Sequence, residues 1–242
     1  MRLLLVMEEV VRLGRPTTPT EVNQILGLPK PTIHRLWSTL EDEGFLVRDA
    51  DGRSSGPGHR LKSLAMGVLA GQSAATARHA ILSALASEIG ETCNITVPGT
   101  NEMVYLDRVE TQWPLRIQLP VGTRVPLHCT AAGKLYLSNL PDNHLQAILR
   151  SASFAKMTER TLTTPDRIAA EVKAIAAQGY SFDDEEFLDG MICFAVAVRD
   201  AQGRFCSTVG FHGPVQRLDA ATGRTWLPRL RKAADELSRL IA

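Results

Sequence analysis

The stretch Thr20–Leu46, TEVNQILGLPKPTIHRLWSTLEDEGFL, decides the fold of the first part of the chain. It predicts a short helix after Pro19 that ends at the turn Gly27-Leu28-Pro29. A second helix follows, because a proline such as Pro31 is tolerated in a first turn, where the lost N–H has no helical partner. The apolar residues of this second helix recur every three or four positions and bury one face; they are Ile33, Leu36, Trp37 and Leu40. Two helices joined by a tight, glycine-containing turn predict a helix-turn-helix.

The exposed face of the second helix predicts contact with double-stranded DNA. Its basic residues come first and its acids, Glu41–Glu43, come last, so its N-terminal end suits insertion into a major groove. The candidate DNA-binding residues, including one from the segment that follows, are Lys30, Pro31, Thr32, His34, Arg35, Ser38 and Arg53. An ordinary helical hairpin stays open as an alternative, because residues 1–62 hold nine Lys/Arg against eight Asp/Glu, a net charge of only +1.

The flanking segments extend this motif into a winged domain. Met1–Leu13 predicts a further helix, and Phe45–Arg48 predicts a strand. Asp51-Gly52 is typical of a two-residue hairpin turn. Ser54–Gly58 would return as the second strand of a wing, although its β propensity is low. We therefore expect residues 1–60 to form a winged helix-turn-helix domain.

The rest of the chain changes its period and predicts a second domain. Helical spacing over residues 61–75 predicts a linker helix, and a further helix ends near Ile89, before Gly90. The predicted strands are then Cys93–Val97, Met103–Val109, Leu115–Leu119, Met191–Val198 and Phe205–Phe211, and the predicted helices are Thr130–Leu140, Asp142–Arg150, Asp166–Gln178 and Ala220–Ala242. Hairpin connections indicate a mostly antiparallel sheet flanked by helices over residues 76–242, so the expected fold class is α+β.

The composition is that of a globular protein long enough for two domains, with 242 residues, 44% hydrophobic and 22% charged. The early apolar run Leu3–Val6 is too short to span a bilayer, and we expect a cytoplasmic protein without a membrane partner. Four cysteines lack CxxC spacing, which argues against a disulfide framework or a zinc finger; they are Cys93, Cys129, Cys193 and Cys206. We expect no cofactor and no metal.

Two other functions are compatible with the residue types present. An enzyme could use Cys193 as a nucleophile with His128 or His212 as its base. Cys193 falls in an alternating apolar run, however, where a buried structural cysteine is the commonest occupant. A ligand- or metal-sensing module without a DNA role could use the same cysteines and histidines, although their spacings match no structural zinc site.

Four motifs, in order along nearly the whole chain, resemble those of IclR-type bacterial transcriptional regulators. They are Leu26–Leu36 (LGLPKPTIHRL), Pro126–Lys134 (PLHCTAAGK), Gly179–Glu186 (GYSFDDEE) followed by Gly190–Cys193 (GMIC), and Gly213-Pro214. The resemblance implies a winged helix domain, a linker helix and a GAF-like α/β domain that binds a small effector. It also implies assembly into homodimers or homotetramers on a pseudo-palindromic operator.

The resemblance further implies an effector pocket in the second domain. Ala131 and Ala132, at a helix start, would present backbone N–H groups to a carboxylate, and Asp183 would bind a hydroxyl or hydrate at the ligand's other end. The implied effector-binding residues are Val125, Ala131, Ala132, Asp183, Met191, Cys193, Gly210 and His212. We expect a small organic acid of the hydroxy-, keto- or aromatic carboxylate type. His212, which can become cationic near pH 6.5, would contact Asp183 or a second ligand oxygen, or would only fill space in the core. Without the resemblance, the run Asp183–Glu186 would be interpreted as a solvated loop edge.

Overall fold

The computed structural model describes residues 2–49, 52–69, 72–114 and 116–241, without the side chains of residues 69 and 72–74. The chain divides into two compact units, Met1–Gly71 and Gln72–Ala242. The predicted linker helix, residues 61–75, crosses this division, and its residues 70 and 71 lie outside the described part. The domain limits given above therefore stay a prediction.

The first unit is a small helical domain with a two-stranded wing. Its elements are α1 (Arg2–Leu13), α2 (Pro19–Leu26), α3 (Lys30–Asp42), β1 (Leu46–Arg48), β2 (Ser55–Pro57) and α4 (His59–Leu69). Thr18 and Glu21 form a reciprocal capping box that starts α2, and Gly27 ends it with φ 61°, a left-handed conformation that favours glycine. The apolar faces of α1, α2 and α3 meet in one core around Trp37.

The wing forms in spite of its weak sequence. Strands β1 and β2 are antiparallel, with Val47 opposite Gly56. Ser55 also exchanges backbone hydrogen bonds of 3.0 and 2.9 Å with Thr17, so β2 is held from both sides. Pairing with two neighbours thus outweighs the low propensity of Ser54–Gly58. Asp51, half of the predicted turn, lies outside the described residues.

The second unit is one antiparallel sheet with helices on both faces. Its elements are α5 (Gln72–Ile89), β3 (Thr92–Pro98), β4 (Glu102–Val109), β5 (Arg124–Pro126), α6 (Ala131–Leu137), α7 (Asp142–Ser151), α8 (Pro165–Gln178), β6 (Ser181–Asp184), β7 (Met191–Arg199), β8 (Phe205–Pro214), α9 (Ala220–Thr225) and α10 (Leu227–Ser238). The strand order is β5-β4-β3-β8-β7-β6, and every pair is antiparallel. Helices α5 and α10 pack on one face, and α6, α7 and α8 pack on the other. We call the latter the inner face.

The structure corrects three element predictions. Residues 116–120 form no strand, so the predicted strand Leu115–Leu119 is wrong, while Leu115 itself lies outside the described residues. The Arg108 guanidinium donates to the carbonyl oxygens of Ile117 and Leu119, so a side chain satisfies the backbone groups that a ladder would have used. The third strand is β5 instead. The predicted last helix, Ala220–Ala242, is divided into two helices, α9 and α10. Strand β6 was not predicted from the sequence.

Helix length and hydropathy also bear on the membrane prediction. In the part of the chain that the structure describes, no helix combines the length and the apolar character that crossing a bilayer requires.

Candidate DNA interface and effector site

The predicted DNA-binding side chains lie together on the outward face of α3. Ile33, Leu36, Trp37 and Leu40 are buried in the core of the first unit, as the spacing predicted. The opposite side of the helix carries the predicted polar set, half-buried at Thr32 and exposed at Lys30, Pro31, His34, Arg35 and Ser38. Arg53, in the wing, is also exposed. One helix face therefore presents two cations and an imidazole to solvent.

Glu41 attaches the wing to α3. Its carboxylate accepts a 2.6 Å hydrogen bond from Ser55 Oγ and pairs with Arg48 of β1 at 3.2 Å. Burial alone would raise the pKa of Glu41, but these hydrogen bonds outweigh it and the pKa is lowered. The sequence had placed this acid only at the outward end of the helix. In the structure it fixes the wing beside the helix that would enter the groove.

The predicted effector residues all belong to the inner face of the sheet or to α6, which covers it. Strand register places Asp183, Cys193 and His212 side by side on β6, β7 and β8. Ala131 packs with Cys193 and Ala195, while Val125 and Ala132 belong to a neighbouring cluster with Met103 and Tyr105. Met191 lies two residues before Cys193 on β7, and Gly210 lies two residues before His212 on β8, so both are on the same face as Asp183.

Asp183 is buried, and only one of its two carboxyl oxygens has hydrogen-bond partners among the described residues. It is 1% exposed, and its Oδ1 atom accepts hydrogen bonds from the backbone of Glu186 at 2.8 Å and of Phe187 at 3.3 Å. Its Oδ2 atom is buried with no partner among the described residues. Burial, helped by the nearby charge of Glu186, raises the pKa of Asp183 to about 7. The alternative of a solvated loop edge is therefore wrong for Asp183 and for Glu186, which is also buried.

Lys134 holds the segment that follows Asp183, and sequence reasoning gave it no role. The side chain is 1% exposed. Its Nζ atom donates to the carbonyl oxygen of Phe182 at 2.7 Å, pairs with Glu171 at 3.2 Å and forms a shorter pair with Glu186. The available signal was a lysine in the middle of an otherwise apolar, glycine-containing helix. A buried ammonium needs such partners, because an unpaired charge is costly in the interior.

Two threonines complete the support of the acidic loop. The Thr158 hydroxyl donates to the carbonyl oxygen of Glu185 at 2.7 Å, and Thr161 donates to that of Glu186 at 2.7 Å. Glu185 has φ 59°, the left-handed region that non-glycine residues rarely adopt. Such a conformation persists when surrounding contacts determine it. The loop whose backbone N–H groups bind Asp183 is thus held in its conformation by the protein itself, without a ligand.

His212 is a neutral, buried side chain. It is 2% exposed, and its Nδ1 atom lies 3.2 Å from the Asn94 amide on β3. Its Nε2 atom forms no hydrogen bond of ordinary geometry within the described part of the molecule, although the Ile117 backbone lies near enough to oppose the lowering of the ring's pKa. Burial, together with the charge of Arg108, lowers the pKa of His212 to about 4. The expectation of a cationic ring near pH 6.5 is therefore wrong.

Gly210 and Gly133 are required by packing. A Cβ atom on Gly210 would lie 2.5 Å from the Phe194 carbonyl oxygen, so a side chain there would push β7 and β8 apart. A Cβ atom on Gly133 would lie 2.4 Å from Leu127. Glycine at position 133 lets α6 rest directly on the segment that leaves β5. Both positions shape the inner face through the backbone.

The start of α6 offers backbone donors. Thr130 caps the helix by accepting from the Gly133 N–H at 3.1 Å. No acceptor for the N–H groups of Ala131 and Ala132 is seen within the described residues. Both residues are buried, so these donors are shielded from bulk water.

The cysteine and histidine considered for an enzyme lack the properties of a nucleophile and its base. Burial raises the pKa of Cys193 far above its usual range, so the sulfur is a thiol rather than a thiolate nucleophile. The Nε2 atom of His128 lies 2.9 Å from the carbonyl oxygen of Ala155. For a metal, the described residues contain no group of three His, Cys, Asp or Glu side chains that could hold an ion.

Two surface grooves lie apart from these residues, both in the second unit. One, of about 650 Å³, runs beside the end of α5 and Trp113. The other, of about 420 Å³, lies between α8, α10 and the edge of β7.

The first unit has the architecture of a winged helix-turn-helix, a fold that binds double-stranded DNA. Residues 1–50 match the IclR helix-turn-helix domain, and residues 66–239 match the bacterial transcriptional regulator IclR C-terminal family. The chain belongs to the IclR family. This result agrees with the expected α+β fold, overturns the alternative of a module without a DNA role, and identifies a regulator rather than an enzyme.

Individual proteins support the same assignment. The chain is 38% identical over 237 residues to a protein named probable transcriptional regulator SauR of Cupriavidus necator, covering 98% of this chain and 94% of that one. The crystal structure of Thermotoga maritima IclR shares the fold, with a TM-score of 0.66 at 24% identity, covering 98% of this chain and 96% of that chain. The inducer-binding domain of a double mutant of Acinetobacter PobR, in complex with 3-hydroxy benzoic acid, has a TM-score of 0.63 at 25% identity, covering 68% of this chain and 97% of that chain.

Proposed function

We propose that a small organic acid, bound on the inner face of the second unit, controls the affinity of this regulator for its operator. The observation that carries the proposal is a buried polar atom, Asp183 Oδ2, that has no partner among the described residues; His212 Nε2, on the same face, forms no hydrogen bond of ordinary geometry there. An unsatisfied buried polar group costs about 1–3 kcal/mol. A ligand that bonds to Asp183 Oδ2 would recover that cost.

The chemistry of the two positions defines the ligand. Asp183 and His212 lie on the two strands that flank β7 at Cys193, so their backbones are two strand spacings apart, about 9.6 Å. A benzene ring with a polar group at each end spans most of this distance, whereas a smaller hydroxy or keto acid would contact one of the two positions. Because the pKa of Asp183 is about 7, its carboxyl can accept from a hydroxyl or donate to an oxygen. A ligand carboxylate would accept hydrogen bonds from the N–H groups of Ala131 and Ala132. The apolar part of the ligand would be surrounded by Val125, Met191, Cys193 and Gly210. Hydroxy-, keto- and aromatic carboxylates meet these conditions, and PobR with 3-hydroxy benzoic acid is a related case.

Control of DNA binding requires two states with different affinities for the effector. We propose that residues 61–75 act as the linker helix that joins the two units and changes between those states. We also propose that the protein acts as a homodimer or homotetramer. A two-fold dimer would place two α3 helices in successive major grooves of a pseudo-palindromic operator. The residues inserted into the groove would be Lys30, Pro31, Thr32, His34, Arg35 and Ser38. Arg53 would contact the sugar–phosphate backbone of the DNA.

The test is a thermal-shift and calorimetry panel containing 3- and 4-hydroxybenzoate, lactate, pyruvate, glyoxylate, octanoate and uncharged apolar compounds. Compounds that bind are then titrated into a complex of the protein with DNA from upstream of its own gene, followed by fluorescence anisotropy. We expect hydroxy or keto acids to bind and to change DNA affinity, and Asp183→Asn to abolish both effects.

Asp184→Asn is the matched control, because Asp184 pairs with Arg160 on the other side of β6. Its effector response should equal that of the unmodified protein. The proposal fails if only uncharged apolar compounds stabilise the protein and Asp183→Asn makes no difference.

A further inference from the structure

The edge of the sheet at β7 is open over its last residues. Strand β6 pairs with β7 only from Ile192 to Ala195, whereas β7 continues to Arg199. Residues 196–199 therefore have a strand neighbour, β8, on one side only. Gly179, with φ 74°, ends α8 just before β6 begins, so the ladder cannot extend further.

Backbone direction shows which groups face the open side. The Met191 carbonyl oxygen accepts from Glu185, on the β6 side, while that of Gly190 accepts from Val215, on the β8 side. Because successive residues of a strand direct their backbone groups to opposite neighbours, odd-numbered residues of β7 face β6. The N–H and carbonyl groups of Ala197 therefore point to the open edge.

A groove of about 420 Å³ lies along this edge. One wall comes from the inner-face layer, at Asn139 and Ala176, and the other comes from α10, at Arg231 and Asp235. Ala197 and Arg199 form its floor. The groove is thus a slot between two helical layers with strand backbone at its base. We call this slot the β7 groove.

The charges of the β7 groove favour an acidic occupant. Arg199 donates to the side-chain oxygen of Asn139 and to the Gly203 carbonyl, and Arg231 donates to the Gln178 carbonyl. Both guanidinium groups are exposed and have only uncharged oxygens as partners in the described part of the chain. The lining contains two arginines against one carboxylate, Asp235.

We propose that the β7 groove binds an extended acidic segment of a partner protein, which adds to the sheet as a strand beside β7. Main-chain hydrogen bonds to Ala197 would give this segment its register, and Arg199 and Arg231 would select acidic side chains at alternate positions. Strand addition at an exposed edge is a general mode of peptide recognition. The site is independent of the effector proposal, because it lies at the other end of β7 from Met191.

The test uses the full-length protein and a fluorescein-labelled pentapeptide of alternating glutamate and valine, followed by fluorescence anisotropy. Two control peptides accompany it: the lysine counterpart, and the glutamate peptide N-methylated at alternate residues, which keeps its charge but loses edge donors. We expect the glutamate peptide to bind at least tenfold more tightly than either control.

Two variants locate the binding. Arg199→Glu/Arg231→Glu should weaken it at least tenfold, whereas the matched reversal Arg150→Glu/Arg167→Glu, on exposed residues of α7 and α8, should not. Ala197→Pro removes one N–H that faces the groove and leaves the bonds to β8. If this variant fails to fold, the N-methylated peptide decides the same point.

Three outcomes overturn the proposal. Equal binding of the plain and N-methylated peptides would mean attraction between charges only. Absence of binding, together with a smaller assembly for Arg199→Glu/Arg231→Glu in light scattering, would identify a second copy of this chain as the occupant. Absence of binding without any change in assembly would show that the β7 groove does not bind an acidic segment.

Discussion

The Lys134 ammonium and the Glu186 carboxylate form an ion pair in which both side chains are buried. The Glu186 backbone N–H donates in turn to Asp183 Oδ1, so the pair fixes the loop that orients this acid. Lys134 therefore acts on the proposed ligand only indirectly, through Glu186 and Asp183, and does not contact it. Removing it should affect both stability and effector binding.

The first prediction is the cost of Lys134→Met. Loss of one partner of a buried ion pair costs about 3–5 kcal/mol in the free energy of unfolding, because the other charge is left uncompensated. Denaturant unfolding measures this value. Lys173→Met, an exposed lysine on α8, should change stability by less than about 0.5 kcal/mol. The double variant Lys134→Met/Glu186→Gln should recover part of the loss, and a Lys134→Met protein of full stability would contradict the assignment.

The second prediction follows from the raised pKa of Asp183. With a pKa of about 7 in the folded state and an ordinary value when unfolded, the folded state binds more protons between these values. Stability from this group is therefore present at low pH and lost as the pH rises through about 7. Asp183→Asn should remove this slope, so its stability relative to the unmodified protein should increase from pH 4 to pH 8, by about 1.4 kcal/mol per unit of pKa shift. Parallel pH profiles of the two proteins would refute the shift.

The third prediction is the opposite pH effect of His212. Its pKa of about 4 lies below that of the unfolded chain, so the folded state binds fewer protons between about 4 and 6.5. The stabilising contribution of the neutral ring is complete above pH 6.5 and is lost on acidification. His212→Gln should flatten this acid limb. Nitrogen-15 NMR of the imidazole should show no protonation at pH 6, and a midpoint near 6.5 would disprove the shift.

Local sequence patterns predicted most of the helices, because an amphipathic period is complete within one segment. Ile33 and Leu40 are buried as their spacing required. The same approach missed β6, since acids such as Asp183 and Asp184 are depleted in strands. Pairing with β7 and the bond from Lys134 to Phe182 hold this strand, and neither is visible in a window of a few residues.

The candidate site was predictable only in part. The resemblance indicated Asp183 and the start of α6, because both belong to contiguous motifs. It gave no role to Asn94, which meets His212 across 118 positions of sequence. The residue type alone gave His212 the ordinary pKa of a histidine, because burial and the position of Arg108 are properties of the folded sheet. Strand adjacency, rather than residue type, decides these features.

The fourth prediction concerns the independence of the two units. Residues 72–242 contain a complete sheet, with helices on both faces, and every proposed effector residue. This fragment should fold alone, bind the same acids as the full-length chain within about threefold, and fail to bind DNA. Circular dichroism and calorimetry measure the first two properties. Effector binding that occurs only in the full-length chain would show that the pocket needs the first unit.

The fifth prediction tests α3 as the DNA-reading helix. Arg35 is exposed on its outward face and its neighbours Ile33 and Leu36 are buried, so Arg35→Ala removes a side chain that faces away from the core. Removal of one base or phosphate interaction costs about 1–3 kcal/mol of binding free energy. Operator affinity should fall by that amount in a filter-binding assay, and further in a Lys30→Ala/His34→Ala/Arg35→Ala triple variant.

Controls for this prediction separate a binding defect from a folding defect. The melting temperature should be unchanged in both variants, and Lys173→Ala, in the second unit, should bind DNA as the unmodified protein does. A triple variant with undiminished operator affinity would mean that another surface of the first unit binds the DNA. The salt dependence then distinguishes the role of Arg35. If its guanidinium binds a phosphate, Arg35→Ala reduces the slope of log affinity against log salt by about one; if it binds a base, the slope is unchanged and sequence preference relaxes.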